Sequence, residues 1–177
     1  MINSTQLDGI ALIVGGAAFS LAEAGAKVVV FADMNGETAK SSSEESKKYA
    51  SNKDYQTTTF KMNVQDNKSV QDMVDFVVKE FGRVDYAVNA AGVDNGVHAP
   101  ISETDIENFD RIMNINTRGN LICVRAQTAA MRKQEPKTWT SRNGTRDVGR
   151  GVIINLASAN SFAVLGTTTP TTLRPFV

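Results

Sequence analysis

The chain has 177 residues, 41% of them hydrophobic and 21% charged, which is a composition typical of one folded domain with a sizeable core. Its 19 basic residues balance 19 acidic residues, so no excess of positive charge favours nucleic acid or an anionic membrane as a partner. The single cysteine, Cys123, excludes an internal disulfide, and the single histidine, His98, excludes a multi-histidine site, so we expect no bound metal.

Along the chain, apolar runs typical of buried strands alternate with segments of helical periodicity. The predicted strands are residues 9–14, 27–32, 57–62, 84–89 and 151–156. The predicted helices are residues 17–24, 35–50, 67–81 and a long helical region from 106 to about 133. Because strands and helices alternate as βαβ units, the sequence predicts an α/β fold. We expect a Rossmann-type, doubly wound parallel sheet of about five strands.

The predicted domain covers residues 1–166 and is a single nucleotide-binding unit. Residues 135–150 are polar and contain the only tryptophan, so we interpret them as a surface insertion. Residues 167–177 have neither a helical nor a strand pattern and are predicted to be an irregular tail. The first residues lack the pattern of a signal peptide and no run of about 18 apolar residues occurs. A cytoplasmic location and no membrane partner are therefore expected.

The end of the second predicted strand carries an acidic residue, Asp33. In a dinucleotide-binding fold, a carboxylate at this place accepts hydrogen bonds from the adenosine ribose hydroxyls. A 2′-phosphate would meet this carboxylate, and the following Met34 and Asn35 offer no positive charge. The sequence therefore predicts NAD as the cofactor and makes NADP less favourable. The alternative is a surface aspartate at a strand end with no ligand.

Small residues follow the fourth predicted strand, within residues 84–92. Ligands of open parallel sheets bind beyond the carboxyl ends of the strands, so small residues at this point leave room for a large, flat molecule. The alternative is a buried strand followed by a tight turn.

Six short motifs, in this order and on these predicted elements, resemble those of the short-chain dehydrogenase/reductase family. They are Gly15-Gly16, Asp33, Asn63-Val64, Asn89-Ala90-Ala91-Gly92, Ile115-Asn116-Thr117-Arg118-Gly119 and Ile154-Asn155-Leu156-Ala157-Ser158. The resemblance extends to about residue 160. It implies hydride transfer between a nicotinamide cofactor and a small-molecule alcohol or carbonyl substrate.

The resemblance also assigns roles to individual residues. Ser158 is expected to hydrogen-bond the substrate oxygen, and Asn116 to hold a water molecule in a proton relay. Asn63 stands where the family usually has an aspartate that contacts the adenine amino group, a bond that an amide oxygen can still accept without charge. The cofactor-binding residues implied are Gly15, Gly16, Asp33, Asn63, Val64, Asn89, Ala90, Ala91 and Gly92.

Two departures from the family pattern leave two interpretations open. The further glycines of the family's pyrophosphate-binding turn are missing after Gly15-Gly16. The Tyr and Lys that follow the family's serine are also missing, since no Tyr or Lys occurs after Ser158. The gene's product is therefore either an NAD-dependent oxidoreductase or, as this chain stands, a catalytically inactive, truncated or misspliced nucleotide-binding or subunit-interaction fragment.

The resemblance implies that the predicted strands are ordered third, second, first, fourth, fifth in the sheet, which would place the fifth predicted strand at an open edge. Residues 151–156 form an apolar run without charge or proline, the combination that recruits another chain. We therefore expect a homo-oligomer, or aggregation through this edge.

Overall fold

Five parallel strands form the central sheet of this computed structural model, which describes residues 7–16, 19–94 and 100–158. Within these ranges the strands are Ile10–Val14 (β1), Val28–Asp33 (β2), Gln56–Lys61 (β3), Tyr86–Asn89 (β4), Lys137–Ser141 (β5), Gly144–Gly149 (β6) and Val152–Asn155 (β7). The order in the sheet is β3-β2-β1-β4-β7, with every neighbouring pair parallel. The predicted α/β class and the predicted strand order are thus confirmed.

Helices cover both faces of this sheet. They are Phe19–Glu23 (α1), Gly36–Ser46 (α2), Asn67–Phe81 (α3), Ile106–Met113 (α4) and Asn120–Met131 (α5), together with a 3-10 turn at Ile101–Glu103. One core lies between the sheet, α3 and α5, and a smaller core lies between the other face and α2. Among the described helices, none combines the length and apolar character needed to cross a bilayer.

The bounds of α3 follow directly from its sequence. Asp66 accepts a hydrogen bond from the Lys68 N–H at 2.8 Å and begins the helix, and Gly82 ends it in the left-handed conformation at φ 85°. Its buried positions, Val70, Met73, Val74 and Val77, recur at helical spacing. The predicted helix at residues 67–81 is therefore confirmed at both ends.

The long helical region predicted from residue 106 is interrupted. Asn114–Gly119 is a π-helical segment that joins α4 to α5. At its end, Gly119 is buried, and a Cβ on this residue would lie 2.8 Å from Cγ2 of Val64. A glycine is required there because the segment passes directly over the residue pair that follows β3.

The polar stretch predicted as a surface insertion forms an antiparallel hairpin of β5 and β6. Every residue of β6 is exposed, and Trp139 of β5 pairs with Arg146 and is itself exposed. Sequence patterns missed these strands because neither strand buries one of its faces, and only a buried face gives the alternation of apolar and polar residues typical of a strand. The predicted division at residue 166 and the tail lie partly or wholly outside the described residues and stay predictions.

A buried carboxylate anchors the hairpin at the amino-terminal edge of the sheet. Asp85 is 3% exposed, and its Oδ2 accepts a 2.9 Å hydrogen bond from the Ile10 N–H. Its two carboxylate oxygens also meet Arg83 Nε at 2.7 Å and Lys137 Nζ at 3.3 Å. Because the hairpin is fixed at this edge, it lies away from the carboxyl ends of the strands.

Candidate active site

A cavity of about 190 Å³ opens at the carboxyl ends of the four strands β1 to β4. Its lining comes from Val14, Gly15, Gly16, Ala32, Asp33, Met34, Met62, Asn63, Val64, Gln65, Ala90, Ala91, Gly92, Val93 and Ile115. Every cofactor-binding residue predicted from the sequence is in this set except Asn89. The parallel sheet brings them together because the carboxyl ends of its strands meet at one edge.

The turn after β1 forms the floor of the cavity. Gly15 and Gly16 have φ values of 69° and 83°, and the Gly15 N–H donates to the Ala32 carbonyl at 2.9 Å. A Cβ on Gly15 would lie 2.5 Å from Cα of Ala91. The two chain segments can approach this closely only because Gly15 has no side chain.

Asp33 lies at the lip of the cavity, at the last residue of β2. Its Oδ1 accepts a hydrogen bond from the Asn35 N–H at 2.8 Å, while the Asn35 side chain caps α2. The carboxylate is therefore held in place by the turn that begins the helix. Its second oxygen, Oδ2, has no bond to another described residue and can accept hydrogen bonds from a ligand.

The pair Asn63 and Val64 forms the wall beyond β3. Oδ1 of Asn63 accepts a hydrogen bond from the Gln65 N–H at 3.0 Å, and the Asn63 N–H donates to Ser69 Oγ at 3.0 Å. Val64 is buried beneath Gly119. The residues after β3 are thus fixed by the start of α3 and by the π-helical segment.

The side chain of Asn116 bonds to the backbone of Val93 through both of its polar atoms. Oδ1 accepts from the Val93 N–H at 2.9 Å, and Nδ2 donates to the Val93 carbonyl at 2.9 Å. Gly92 lies beside this pair, because a Cβ there would be 3.5 Å from Asn116 Oδ1. Asn116 therefore ties the chain after β4 to the π-helical segment, and its predicted role in holding water stays a prediction.

Asn89 does not line the cavity but belongs to a group of three amides, of which Asn89 and Gln127 are buried and Asn155 is exposed. Its side chain forms reciprocal hydrogen bonds with Gln127 of α5, at 2.9 Å and 2.7 Å. Its Nδ2 also donates to Oδ1 of Asn155, its register partner on β7, at 2.9 Å. The group binds α5, β4 and β7 together beneath the cavity.

Gln127 is the residue of this group that the sequence analysis missed. It is fully buried, on the same face of α5 as the buried Cys123. The available signal was its spacing: Gln127 lies four positions after Cys123 and therefore on the same face of the predicted helix. An amide on a buried face requires a hydrogen-bond partner.

Ser158 lies three residues beyond the end of β7, and it is exposed and does not line the cavity. Its predicted contact with substrate stays a prediction.

The side chain of Cys123 is buried, with no disulfide partner. Burial raises the pKa of the Cys123 thiol to about 11, so this group stays protonated and unreactive at neutral pH. Within residues 7–16, 19–94 and 100–158, no group of three or more His, Cys, Asp or Glu side chains could hold a metal ion. His98 lies outside these ranges.

A parallel sheet in this order, with helices on both faces and a cavity beyond a glycine turn, defines the Rossmann-type class of α/β proteins. A family model described as enoyl-(acyl carrier protein) reductase matches residues 8–168. The chain belongs to the short-chain dehydrogenase/reductase family of oxidoreductases.

Curated relatives of this chain are longer than the chain itself. A short-chain dehydrogenase of Penicillium roqueforti is 37% identical over 164 residues, which are 89% of this chain and 59% of the relative. A diacetyl reductase [(S)-acetoin forming] of Staphylococcus epidermidis is 36% identical over 126 residues, 70% of this chain and 43% of the relative. This chain therefore spans less than two thirds of these proteins.

Solved structures share the fold. A short-chain type dehydrogenase/reductase from Mycobacterium ulcerans superposes with a TM-score of 0.80 at 16% identity, covering 96% of this chain and 58% of that one. An NAD+-bound xylitol dehydrogenase superposes with a TM-score of 0.72 at 23% identity, covering 96% of this chain and 60% of that one.

Proposed function

We propose that the cavity binds NAD(H), and that the whole protein transfers a hydride between NAD(H) and a small alcohol or carbonyl compound. The observation that carries this proposal is Asp33 at the lip of a cavity whose floor is the turn Gly15-Gly16. In this class of fold, the pyrophosphate lies over the turn after β1 and the ribose hydroxyls meet the acidic residue at the end of β2. The names of the diacetyl reductase and of the NAD+-bound xylitol dehydrogenase support the cofactor and the substrate class.

The residues of this chain would hold and orient the cofactor, which itself supplies the hydride when bound. Oδ2 of Asp33 would accept hydrogen bonds from the ribose hydroxyls. The small side chains of Ala90 and Ala91 leave the backbone open to approach by the ligand. The short turn gives weaker support to the pyrophosphate, because α1 has only five residues.

We expect NAD(H) to bind at least about tenfold more tightly than NADP(H). A 2′-phosphate would meet the Asp33 carboxylate, and a like-charge contact of this kind opposes binding. Isothermal titration calorimetry with both cofactors measures the ratio. Asp33→Asn should reduce the preference, whereas Asp54→Asn, an exposed aspartate outside the cavity, should leave it unchanged. Tighter binding of NADP(H) by the natural chain would contradict the argument from the carboxylate.

A second candidate function is that of a nucleotide-binding or subunit-interaction fragment without catalytic activity. One observation favours it: no Tyr or Lys follows Ser158 in the 177 residues. The chain as given would then bind the cofactor without a tuned proton donor.

Accordingly, the 177-residue chain is expected to turn over carbonyl substrates about 10² to 10⁴ times more slowly than enzymes with a general acid. The measurement is NADH consumption with diacetyl and with simple ketones, at saturating cofactor. Turnover of about 1 s⁻¹ or faster, typical of enzymes and abolished in Ser158→Ala, would show that another group supplies the proton. Calorimetric titration with NADH is the control: a folded but inactive chain binds NADH, whereas an unfolded chain does not.

A further inference from the structure

Two Asn-Gly dipeptides in the described part of the chain share their chemistry and differ in their surroundings. They are Asn35-Gly36, between β2 and α2, and Asn143-Gly144, at the turn between β5 and β6. A third, Asn95-Gly96, lies outside the described residues. In the first two, both asparagines are exposed, and a Cβ on either glycine would meet no atom within 4 Å. A difference in their reactivity therefore comes from how the backbone holds them and not from access by solvent.

An asparagine followed by glycine can lose its side-chain amide without a catalyst. The backbone nitrogen of the glycine attacks Cγ of the asparagine, a C–N bond forms, and the bond from Cγ to Nδ2 breaks. Ammonia leaves with the hydrogen of the glycine N–H, and water then opens the resulting succinimide ring at either of its carbonyl carbons. The products are aspartate and isoaspartate, so one water is consumed and one ammonia is released, with no oxidation or reduction. Glycine favours the ring closure because it has no Cβ to hinder the nitrogen.

The first of the two dipeptides is held by α2. Oδ1 of Asn35 accepts hydrogen bonds from the N–H groups of Glu37 and Thr38 at 3.1 Å and 3.2 Å, which makes this side chain the N-cap of the helix. Bonding Cγ to the Gly36 nitrogen turns the side chain away from these donors, so both cap bonds must break before the ring can close. The helix therefore slows the reaction at Asn35.

The second dipeptide lies at the tip of an exposed hairpin. Ser141 of β5 pairs with Gly144 of β6, so Arg142 and Asn143 form the turn between the strands. Every residue of β6 is exposed, whereas α2 buries side chains along its length. Because little burial is lost when the hairpin tip opens, local opening is far easier here than at the start of a helix packed on the sheet. Asn143 therefore reaches the geometry of ring closure more often than Asn35 does.

We propose that Asn143 is a modification site, at which the chain converts asparagine to aspartate and isoaspartate without an enzyme. The product adds a negative charge to a segment with one acidic residue, Asp147, and four basic residues, Lys137, Arg142, Arg146 and Arg150. Isoaspartate also routes the main chain through Cβ and Cγ, and this additional atom at the turn shifts the pairing of Trp139 with Arg146. The modification is thus a slow, one-way change in the charge and the pairing of the hairpin, at the edge of the sheet away from the cavity.

The test is to incubate the 177-residue chain at neutral pH and physiological temperature and to follow both asparagines by peptide mapping with mass spectrometry. Exchange of NH2 for OH raises the mass of a peptide, and fragmentation assigns the change to one residue. We expect Asn143 to be modified at least about tenfold faster than Asn35, the factor that corresponds to about 1.4 kcal/mol of protection by the cap. In concentrated urea α2 is unfolded, so the two rates should converge.

Asn143→Gln is the matched control, because a glutamine side chain would have to close a six-membered ring, which forms more slowly. This variant should lose the main acidic product in isoelectric focusing and keep the natural rate at Asn35. Equal rates at the two asparagines of the folded chain would overturn the proposal. A difference that persists in urea would overturn it as well, since the cause would then be the neighbouring residues and not the fold. Circular dichroism during the incubation follows the folded state, and a chain found unfolded in buffer would remove the structural basis of the proposal.

Discussion

Replacing Asn89 with leucine is expected to lower the free energy of unfolding by about 3 kcal/mol, although the volume of the side chain hardly changes. The change removes both hydrogen bonds to Gln127, whose side chain is fully buried and would lose both partners. Each buried polar atom left without a partner costs about 1–3 kcal/mol. Urea denaturation followed by circular dichroism measures the loss.

A double-mutant cycle distinguishes a lost amide pair from a general loss of packing. Asn89→Leu leaves the Gln127 amide without either bond of the pair, and Gln127→Leu leaves Oδ1 of Asn89 without a partner while its Nδ2 keeps Asn155. The double variant leaves an apolar contact between α5 and β4. We therefore expect the double variant to be at least about 1 kcal/mol more stable than the sum of the single losses predicts. Strictly additive losses would contradict this reading. Asn67→Leu, at an exposed position in the first turn of α3, is the control and should change stability by less than about 0.5 kcal/mol.

The same amide pair marks the limit of what the sequence could predict about the site. Glycine, aspartate and alanine residues at strand ends identified most of the cavity wall, because the ends of parallel strands share one edge whatever the details of packing. The direction of the Asn89 side chain was not accessible in this way. It depends on Gln127, which is 38 positions away in the sequence.

Two elements of the fold were also beyond the sequence patterns. The π-helical segment differs from an α-helix over only six residues, too few for apolar periodicity to record the change. The strands β5 and β6 are mostly polar and β6 is exposed throughout, so they lack the apolar run that reveals β1 or β4. Buried elements were predictable because burial requires apolar side chains at particular positions of the sequence. Exposed or locally distorted elements have no such requirement, so they produce no pattern.

The exposed side of β7 is expected to control self-association of the chain. No described strand pairs with the outer edge of β7, and Val152 and Ile154 are each 49% exposed. Ile153, between them, points to the opposite face and packs against the core shared with α5. An unpaired edge with apolar side chains recruits another chain, so the 177-residue chain should self-associate in a concentration-dependent way.

Two neighbouring lysine variants separate the exposed face of this strand from the buried one. Ile154→Lys should reduce self-association in sedimentation experiments and leave stability nearly unchanged, because the charge enters solvent at the edge. Ile153→Lys should instead lower the free energy of unfolding by about 2 kcal/mol, because an apolar contact with the core is lost and an ammonium group is drawn toward it. Sedimentation velocity at several concentrations, with urea denaturation of both variants, measures the two effects independently. A natural chain that stays monomeric at every concentration would mean that this edge is covered, and equal stability of the two variants would contradict the assignment of the buried face to Ile153.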